Sequence, residues 1–337
     1  MRTIICEQPG QLILKDTNEP EIRPGHSIIK VRRIGICGTD LHAFEGTQPY
    51  FSYPRILGHE LAGEIVQTGN PEFKIGDQVT ILPYYSCNEC VACRSGKPNC
   101  CVKIQVCGVH TDGGMREYFS VPDFSLVHSE GLSLEELALV EPMAIGAHGV
   151  KRACINAQDR VLVIGAGPIG LATIASASIA GGRVIVMDVN EERLDFCRRT
   201  LGISDTINPL TGNAAERLAE LTNGDMANVV IDATGNLAAI NQGFSFLAHG
   251  GRYILIGLQK GDISFSHPEF HKREATLMSS RNALRADFQD VIRMIKAKQV
   301  DPLTFITNRI QFDALAAAFK PLLDPRNAVI KAIVTLD

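Results

Sequence analysis

The 337-residue chain has no tryptophan, and aromatic residues make up only 6% of it. Its 33 basic and 37 acidic residues leave a net charge of −4, with no basic block. A polyanion-binding protein carries a basic face, so nucleic acid is excluded as the main partner. An unbroken apolar span is missing too. The longest apolar stretch, residues 160–187, is interrupted by Gly165, Gly167, Pro168, Gly170, Gly181 and Gly182 and contains Arg183. Such a stretch reads as buried strand, turn, helix and strand rather than as a membrane span. The opening residues, MRTIICEQPG, lack a charged segment followed by an apolar one, so no secretory signal is expected. Ten cysteines are too few for a secreted disulfide scaffold. Together these absences predict a soluble, cytoplasmic chain with no membrane partner.

What is present is glycine, at 30 residues, and an ordinary 45% of apolar residues. The length predicts two domains. Residues 1–147 read as short strands with many turn signals, including the alternating segments 27–34 and 61–67. From about residue 148 apolar strands (160–164, 184–187, 229–231, 253–256, 275–278) alternate with helical segments (169–180, 214–221, 237–247). That alternation predicts βαβ units and a parallel sheet. The fold class is therefore α/β, a β-rich domain joined to a doubly wound parallel sheet. Residues 283–337 follow as a tail with a helix around 288–298 and a closing strand at 328–336.

Gly165-Ala-Gly167-Pro168-Ile169-Gly170 directly follows the strand Val161-Leu-Val-Ile164 and opens a helix. Gly165 allows the turn, Gly167 lets backbone approach a pyrophosphate, and Gly170 lets helix and strand pack. The helix N-terminus, with Pro168 and Ile169, offers free N–H groups to phosphate. Asp188 ends the next strand, where an acid meets ribose hydroxyls and repels a 2′-phosphate, which selects NAD over NADP. Arg193, Gly235 and Gly257 are further candidates for this Rossmann-type cofactor site.

Half of the cysteines fall in one polar stretch: Cys87, Cys90, Cys93, Cys100 and Cys101. Cys87-x2-Cys90-x2-Cys93-x7-Cys101 supplies four thiolates for a closed, structural zinc site, with Cys100 as the alternative to Cys101. A second set is dispersed: Cys37 in GICGTD, His59 and Glu60 in GHE, and Glu141 in VEP. One thiolate, one imidazole and carboxylates suit a catalytic zinc that keeps a position open.

With GICGTDxH at 35–42, GHE at 58–60, the four-cysteine lobe, DGG at 112–114, EP at 141–142 and GAGPIG at 165–170, the whole chain resembles the medium-chain zinc-dependent alcohol dehydrogenases of the sorbitol and threonine dehydrogenase kind. The resemblance implies a GroES-like catalytic domain at 1–147, with its zinc lobe at about 84–104, a Rossmann domain at 148–282, and a return to the catalytic domain at 283–337. It also implies two zinc ions per chain, NAD, and a homodimer or homotetramer. By the same resemblance Cys37, His59 and Glu60 are catalytic zinc ligands, Glu141 binds that metal directly or through water, and Thr39 with His42 relays the proton. Which carboxylate is innermost stays open.

Residues 47–55, 268–274 and 279–283 also resemble sugar-acid 5-dehydrogenases acting on L-galactonate or L-gulonate. A sugar acid needs a cation for its carboxylate, and the candidates are Arg281, His271 and Lys272, with Gln48, Tyr50 and Asn282 as hydrogen-bonding partners. Arg281 stands out because its planar fork suits a carboxylate. The expected reaction is oxidation of a secondary hydroxyl of the sugar acid at C5. The competing readings are a polyol (sorbitol or galactitol) or threonine dehydrogenase and a non-catalytic, zinc-stabilised NAD-binding protein. A zinc-free quinone reductase would not need Cys37, His59 or the lobe.

Overall fold

The computed structural model describes residues 1–49 and 51–337. The chain forms two compact units, Met1–Pro142 with Leu284–Asp337, and Met143–Ala283. Among the described residues no helix is long and apolar enough to cross a membrane.

In the first unit a mixed sheet runs in the order Ile306–Gln311, Lys331–Thr335, His26–Ile36, Glu60–Gln67, Gln78–Ile81, Leu126–His128, and Tyr118–Pro122 also pairs with His26–Ile36. Inward-facing Ile29, Val31, Ile34, Leu61, Ile65, Val79, Ile81 and Val334 are completely buried, and the alternation read from 27–34 is their signature. Register decides what meets at the end of the long strand. Gly35 lies opposite Glu60 on one side and Ile333 on the other, and Ile36 lies opposite Ala332. The strand Lys331–Thr335, last in the chain, is thus interior to the sheet.

The second unit holds six parallel strands in the order Thr206–Ile207, Arg183–Met187, Arg160–Ile164, Ala227–Asp232, Leu247–Leu255, Thr276–Ser279. Numbered along the chain this is the doubly wound order 3-2-1-4-5-6. Val161, Leu162, Val163, Ile185, Val186, Val230, Ile231 and Ile254 are fully buried, as strands covered on both faces must be.

A 20-residue helix, Leu134–Ala153, runs through the stretch that sequence reading left inside a β-rich domain, and Pro142 lies inside it. Residues 137–144 are nearly all buried, so this part of the helix shows no polar stripe from which its period could be read. The tail helix is Arg285–Lys296, and the closing strand is shorter than the apolar run suggested.

Candidate functional site

Cys37 immediately follows the strand His26–Ile36 and precedes the helix Gly38–Glu45. His59 and Glu60 stand where the neighbouring strand Glu60–Gln67 begins. Ligand atoms of Cys37, His59 and Glu60 lie within 4.8 Å of one another, with His59 and Glu60 buried. A soft thiolate, an imidazole and a carboxylate converging at this spacing fit a zinc ion. Around them sit residues that the sequence did not mark. Asp40 is buried, accepts N–H bonds from Cys37 (2.9 Å) and Gly58 (3.1 Å), and faces His59 Nδ1 at 3.8 Å. His59 Nδ1 is buried without a hydrogen-bond partner, and the Asp40 carboxylate stands 3.8 Å from it. Burial opposes the charged imidazole, but Asp40, Cys37 and Glu141 raise its proton affinity well above the ordinary histidine value.

The two carboxylates have different partners. Both oxygens of Glu60 lie 2.7 Å from Lys331 Nζ, which also donates to Ile36 O at 3.1 Å. Lys331 and Glu60 are 3% and 0% exposed, so this ion pair is shielded from water. To reach Lys331, the Glu60 side chain crosses the intervening strand at Gly35, where a Cβ would lie 1.9 Å from Glu60 Oε2. Glu141, on the helix Leu134–Ala153, instead accepts a hydrogen bond from the Tyr84 hydroxyl on Oε1. Burial pushes the Glu141 carboxyl up to about 7, against the pull of His59, and burial also raises the Tyr84 phenol, which therefore remains the donor.

Cys87, Cys90, Cys93 and Cys101 converge with their sulfurs within 4.8 Å of one another, whereas Cys100 is exposed and outside the group. Cys90 and Cys93 sulfurs are 3.4 Å apart, as are those of Cys87 and Cys101, and all ten cysteines are free thiols. A tetrahedron with zinc–sulfur bonds of roughly 2.3 Å has sulfurs roughly 3.8 Å apart, so the cluster fits that ion. Backbone N–H groups of Cys87 and Lys103 each point at Cys101 Sγ from 3.3 Å. Backbone donors from Cys93 and Val102 lower the Cys90 thiol to about 6, favouring the thiolate that binds metal.

In the second unit Gly165 adopts φ +97°, and a Cβ on Gly170 would lie 1.9 Å from Gly165 O, so neither position takes a larger residue without distortion. Gly167 caps the helix Pro168–Ile179, with Pro168 at its first turn. A Cβ on Gly167 would meet nothing closer than Arg193 Nη1 at 3.8 Å, so the turn has room and a cation beside it. This open cradle at a helix N-terminus fits a pyrophosphate. Asp188 accepts from Ala166 N at 2.6 Å and Asn190 N at 2.8 Å, tying the glycine-rich turn to the next strand end. Gly235 and Gly257 follow the strands Ala227–Asp232 and Leu247–Leu255, and they touch each other closely. Packing is therefore a reason for both glycines.

The remaining candidates are dispersed. Thr39 is half-buried and His42 exposed, three residues apart on one helix, and His42 Nδ1 lies 3.5 Å from Glu45. Gln48 is half-buried, and Tyr50 lies outside the described residues. His271 and Lys272 sit on the short exposed helix His267–Lys272, where Lys272 pairs with Glu269 at 2.8 Å. Arg281 is exposed after the edge strand Thr276–Ser279, and Asn282 has φ +53°.

Asp40, Tyr84 and Lys331 were missed by sequence reading. Asp40 alone had a local signal, an acid three residues after the residue preceding a helix, where it accepts that residue's N–H.

Two family profiles match the chain, the alcohol dehydrogenase GroES-like domain over residues 23–130 and the zinc-binding dehydrogenase domain over 168–297. L-galactonate-5-dehydrogenase of Escherichia coli K12 is 42% identical over 337 residues, 99% of each chain. Sorbitol dehydrogenase of Halalkalibacterium halodurans is 33% identical over 316 residues, 91% of this chain and 92% of that one. Among solved structures, an alcohol dehydrogenase from Escherichia coli CFT073 complexed with NADH superimposes with a TM-score of 0.93 at 30% identity, covering 100% of this chain and 99% of its own. Fold, motifs and these full-length likenesses lead to one conclusion: the chain belongs to the zinc-type medium-chain alcohol dehydrogenases, oxidoreductases that act on CH–OH groups with zinc and NAD(P).

Proposed function

We propose that the chain is a cytoplasmic, homo-oligomeric dehydrogenase that uses NAD to oxidise the C5 hydroxyl of a sugar acid of the L-galactonate or L-gulonate type. The observation that carries this reading is the 42% identity, over 99% of both chains, to L-galactonate-5-dehydrogenase. When bound, zinc supplies the Lewis acidity that makes an alkoxide accessible near neutral pH, and NAD supplies the hydride acceptor. Cys37 and His59 hold the catalytic ion, with a carboxylate from Glu60 or Glu141. The Asp40 carboxylate, 3.8 Å from His59 Nδ1, favours a proton on that nitrogen, which leaves Nε2 for the metal. Thr39 and His42 carry the hydroxyl proton outward. The turn 165–170 with Arg193 binds the pyrophosphate, Asp188 takes the ribose hydroxyls, and Gly235 and Gly257 border the cofactor. Arg281, His271 and Lys272 are the candidate cations for the substrate carboxylate, and Gln48 and Asn282 the candidate hydrogen-bonding partners. Cys87, Cys90, Cys93 and Cys101 hold a second, structural zinc.

The 33% identity to a sorbitol dehydrogenase supports a second reading, a polyol substrate. A panel of L-galactonate, L-gulonate, sorbitol, galactitol and threonine with NAD, followed by NADH absorbance, separates the two. The highest kcat/KM is expected on a sugar acid, and Cys37→Ser should abolish it while NAD still binds. A preference for sorbitol or galactitol overturns the sugar-acid reading. Absence of turnover on every substrate, with one zinc per chain, overturns the enzyme.

A further inference from the structure

Asp232 ends the strand Ala227–Asp232 and is completely buried. Its Oδ1 accepts the N–H groups of Thr234 and Gly235, each at 3.1 Å, and its Oδ2 accepts the Thr234 hydroxyl at 2.8 Å. All three donors are neutral, and among the described residues no cation pairs with this acid. Buried carboxylates are ordinarily matched by a cation or a metal. Burial accordingly pushes the Asp232 carboxyl above the ordinary aspartate range, while the three donors favour its ionised form. A fixed anion of this kind gains from any positive charge that enters its surroundings.

Its place in the fold says which charge that is. Asp232 lies opposite Ile164 in the parallel register, so this strand ends level with the one that leads into the glycine-rich turn. Ala233 N donates to Ile164 O at 2.9 Å, and a Cβ on Gly165 would lie 2.8 Å from Thr234 Cγ2. The turn 165–170 thus rests against residues that Asp232 holds. On its other side Asp232 O accepts Ile256 N at 2.9 Å and Gly257 N at 3.2 Å. In the order 3-2-1-4-5-6 the strands of Ile164 and Asp232 flank the point where the winding reverses, and a dinucleotide lies across that point. With the pyrophosphate on the turn and the adenosine ribose at Asp188, the nicotinamide nucleotide falls to the half that Asp232 opens.

We propose that Asp232 is a specificity-determining residue for the redox state of the cofactor: its charge favours oxidised nicotinamide over reduced. Between the two forms only the ring changes charge. Repulsion between Asp232 and the pyrophosphate is common to both and cancels in their ratio. A site that holds NAD⁺ and releases NADH more readily suits the oxidation of an alcohol. The inference rests on the proposed placement of NAD on the turn 165–170.

The test measures two dissociation constants of the full-length, zinc-loaded protein, for NADH by its nicotinamide fluorescence and for NAD⁺ by competition against it. Asp232→Asn keeps an acceptor for the two N–H groups and removes the charge, and the Thr234 hydroxyl can turn to accept from the new amide. Unit charges about 10 Å apart at an effective dielectric constant of about 20 change a binding constant roughly tenfold. The NAD⁺ constant divided by the NADH constant should rise by that order. Asp232→Ser, whose hydroxyl also accepts from a following N–H, should raise the ratio equally and carries the test if the Asn variant does not fold. Thr234→Val loosens the turn but leaves the charge, so it should weaken both nucleotides alike and keep the wild-type ratio. An unchanged ratio in the neutral variants, whether both constants weaken together or neither moves, overturns the proposal. So does an equal rise of the ratio in Thr234→Val. Wild-type protein that binds neither nucleotide overturns instead the cofactor site beneath it.

Discussion

At the residue scale, the informative position is one with no side chain. Gly35 follows a run of β-formers and looks like a weak point in a strand, yet a Cβ there would overlap Glu60 Oε2 at 1.9 Å. Gly35→Ala should therefore displace Glu60 from Lys331 and leave a buried ion pair broken. The expected cost to the first unit is about 3 kcal/mol or more, seen as a lower midpoint in urea unfolding followed by circular dichroism. A midpoint equal to wild type would mean that the pair tolerates rearrangement. The same residues mark the limit of sequence reading. The glycine-rich turn could be read because its motif is short and its chemistry local, whereas the dispersed Cys37 and His59 were marked as ligands through family resemblance. Lys331 and Glu60, 271 positions apart, meet only through the register of three strands, which no local pattern encodes. Tyr84 and Glu141, 57 apart, meet in the same non-local way.

At the scale of elements, the four-cysteine lobe behaves as a unit with little secondary structure of its own, one short helix at Val91–Arg94 and a single 3₁₀ turn at Pro98–Cys100. Val91 and Val102 are exposed, so neither packs into a core. Zinc bound by the four thiolates would supply order that packing does not, as in other small thiolate sites. Cys93→Ser should reduce zinc content from two ions per chain to one and make the lobe sensitive to protease, whereas Cys100→Ser should leave both properties unchanged. Metal analysis and limited proteolysis decide it, and an equal loss in the two variants would move the ligand set. The convergence of these cysteines was legible because all four lie within one short stretch of chain. The helix Leu134–Ala153 was not legible, because Val140 and Ala144 are buried on either side of Glu141 and Pro142 interrupts the pattern.

For the molecule as a whole, the division into Met1–Pro142 with Leu284–Asp337 and Met143–Ala283 gives each ligand class its own body. Metal candidates lie in the first and dinucleotide candidates in the second. Calorimetry should accordingly resolve two responses. Chelator should lower the transition of the first unit, NADH should raise that of the second, and the effects should add when both are applied. A single transition that shifts as one block with either ligand would show instead that the two bodies melt as one. The parallel sheet was readable from the alternation of strands and helices, its strand order and the short strand Thr206–Ile207 were not, and the return of the tail into the first sheet followed only from family resemblance.

That return also sets the order of events in the life of the chain. Lys331–Thr335 follows the other described strands in sequence, yet it sits inside a sheet between Ile306–Gln311 and His26–Ile36. Domains fold as units as they emerge from the ribosome, and the second body, complete at Ala283, precedes that strand. The first body cannot close its sheet before Lys331–Thr335 is available, and Glu60 lacks its cation until then. The second body is thus complete while the first still lacks an interior strand, so a variant truncated before Lys331 should keep the fold of the second and lose that of the first.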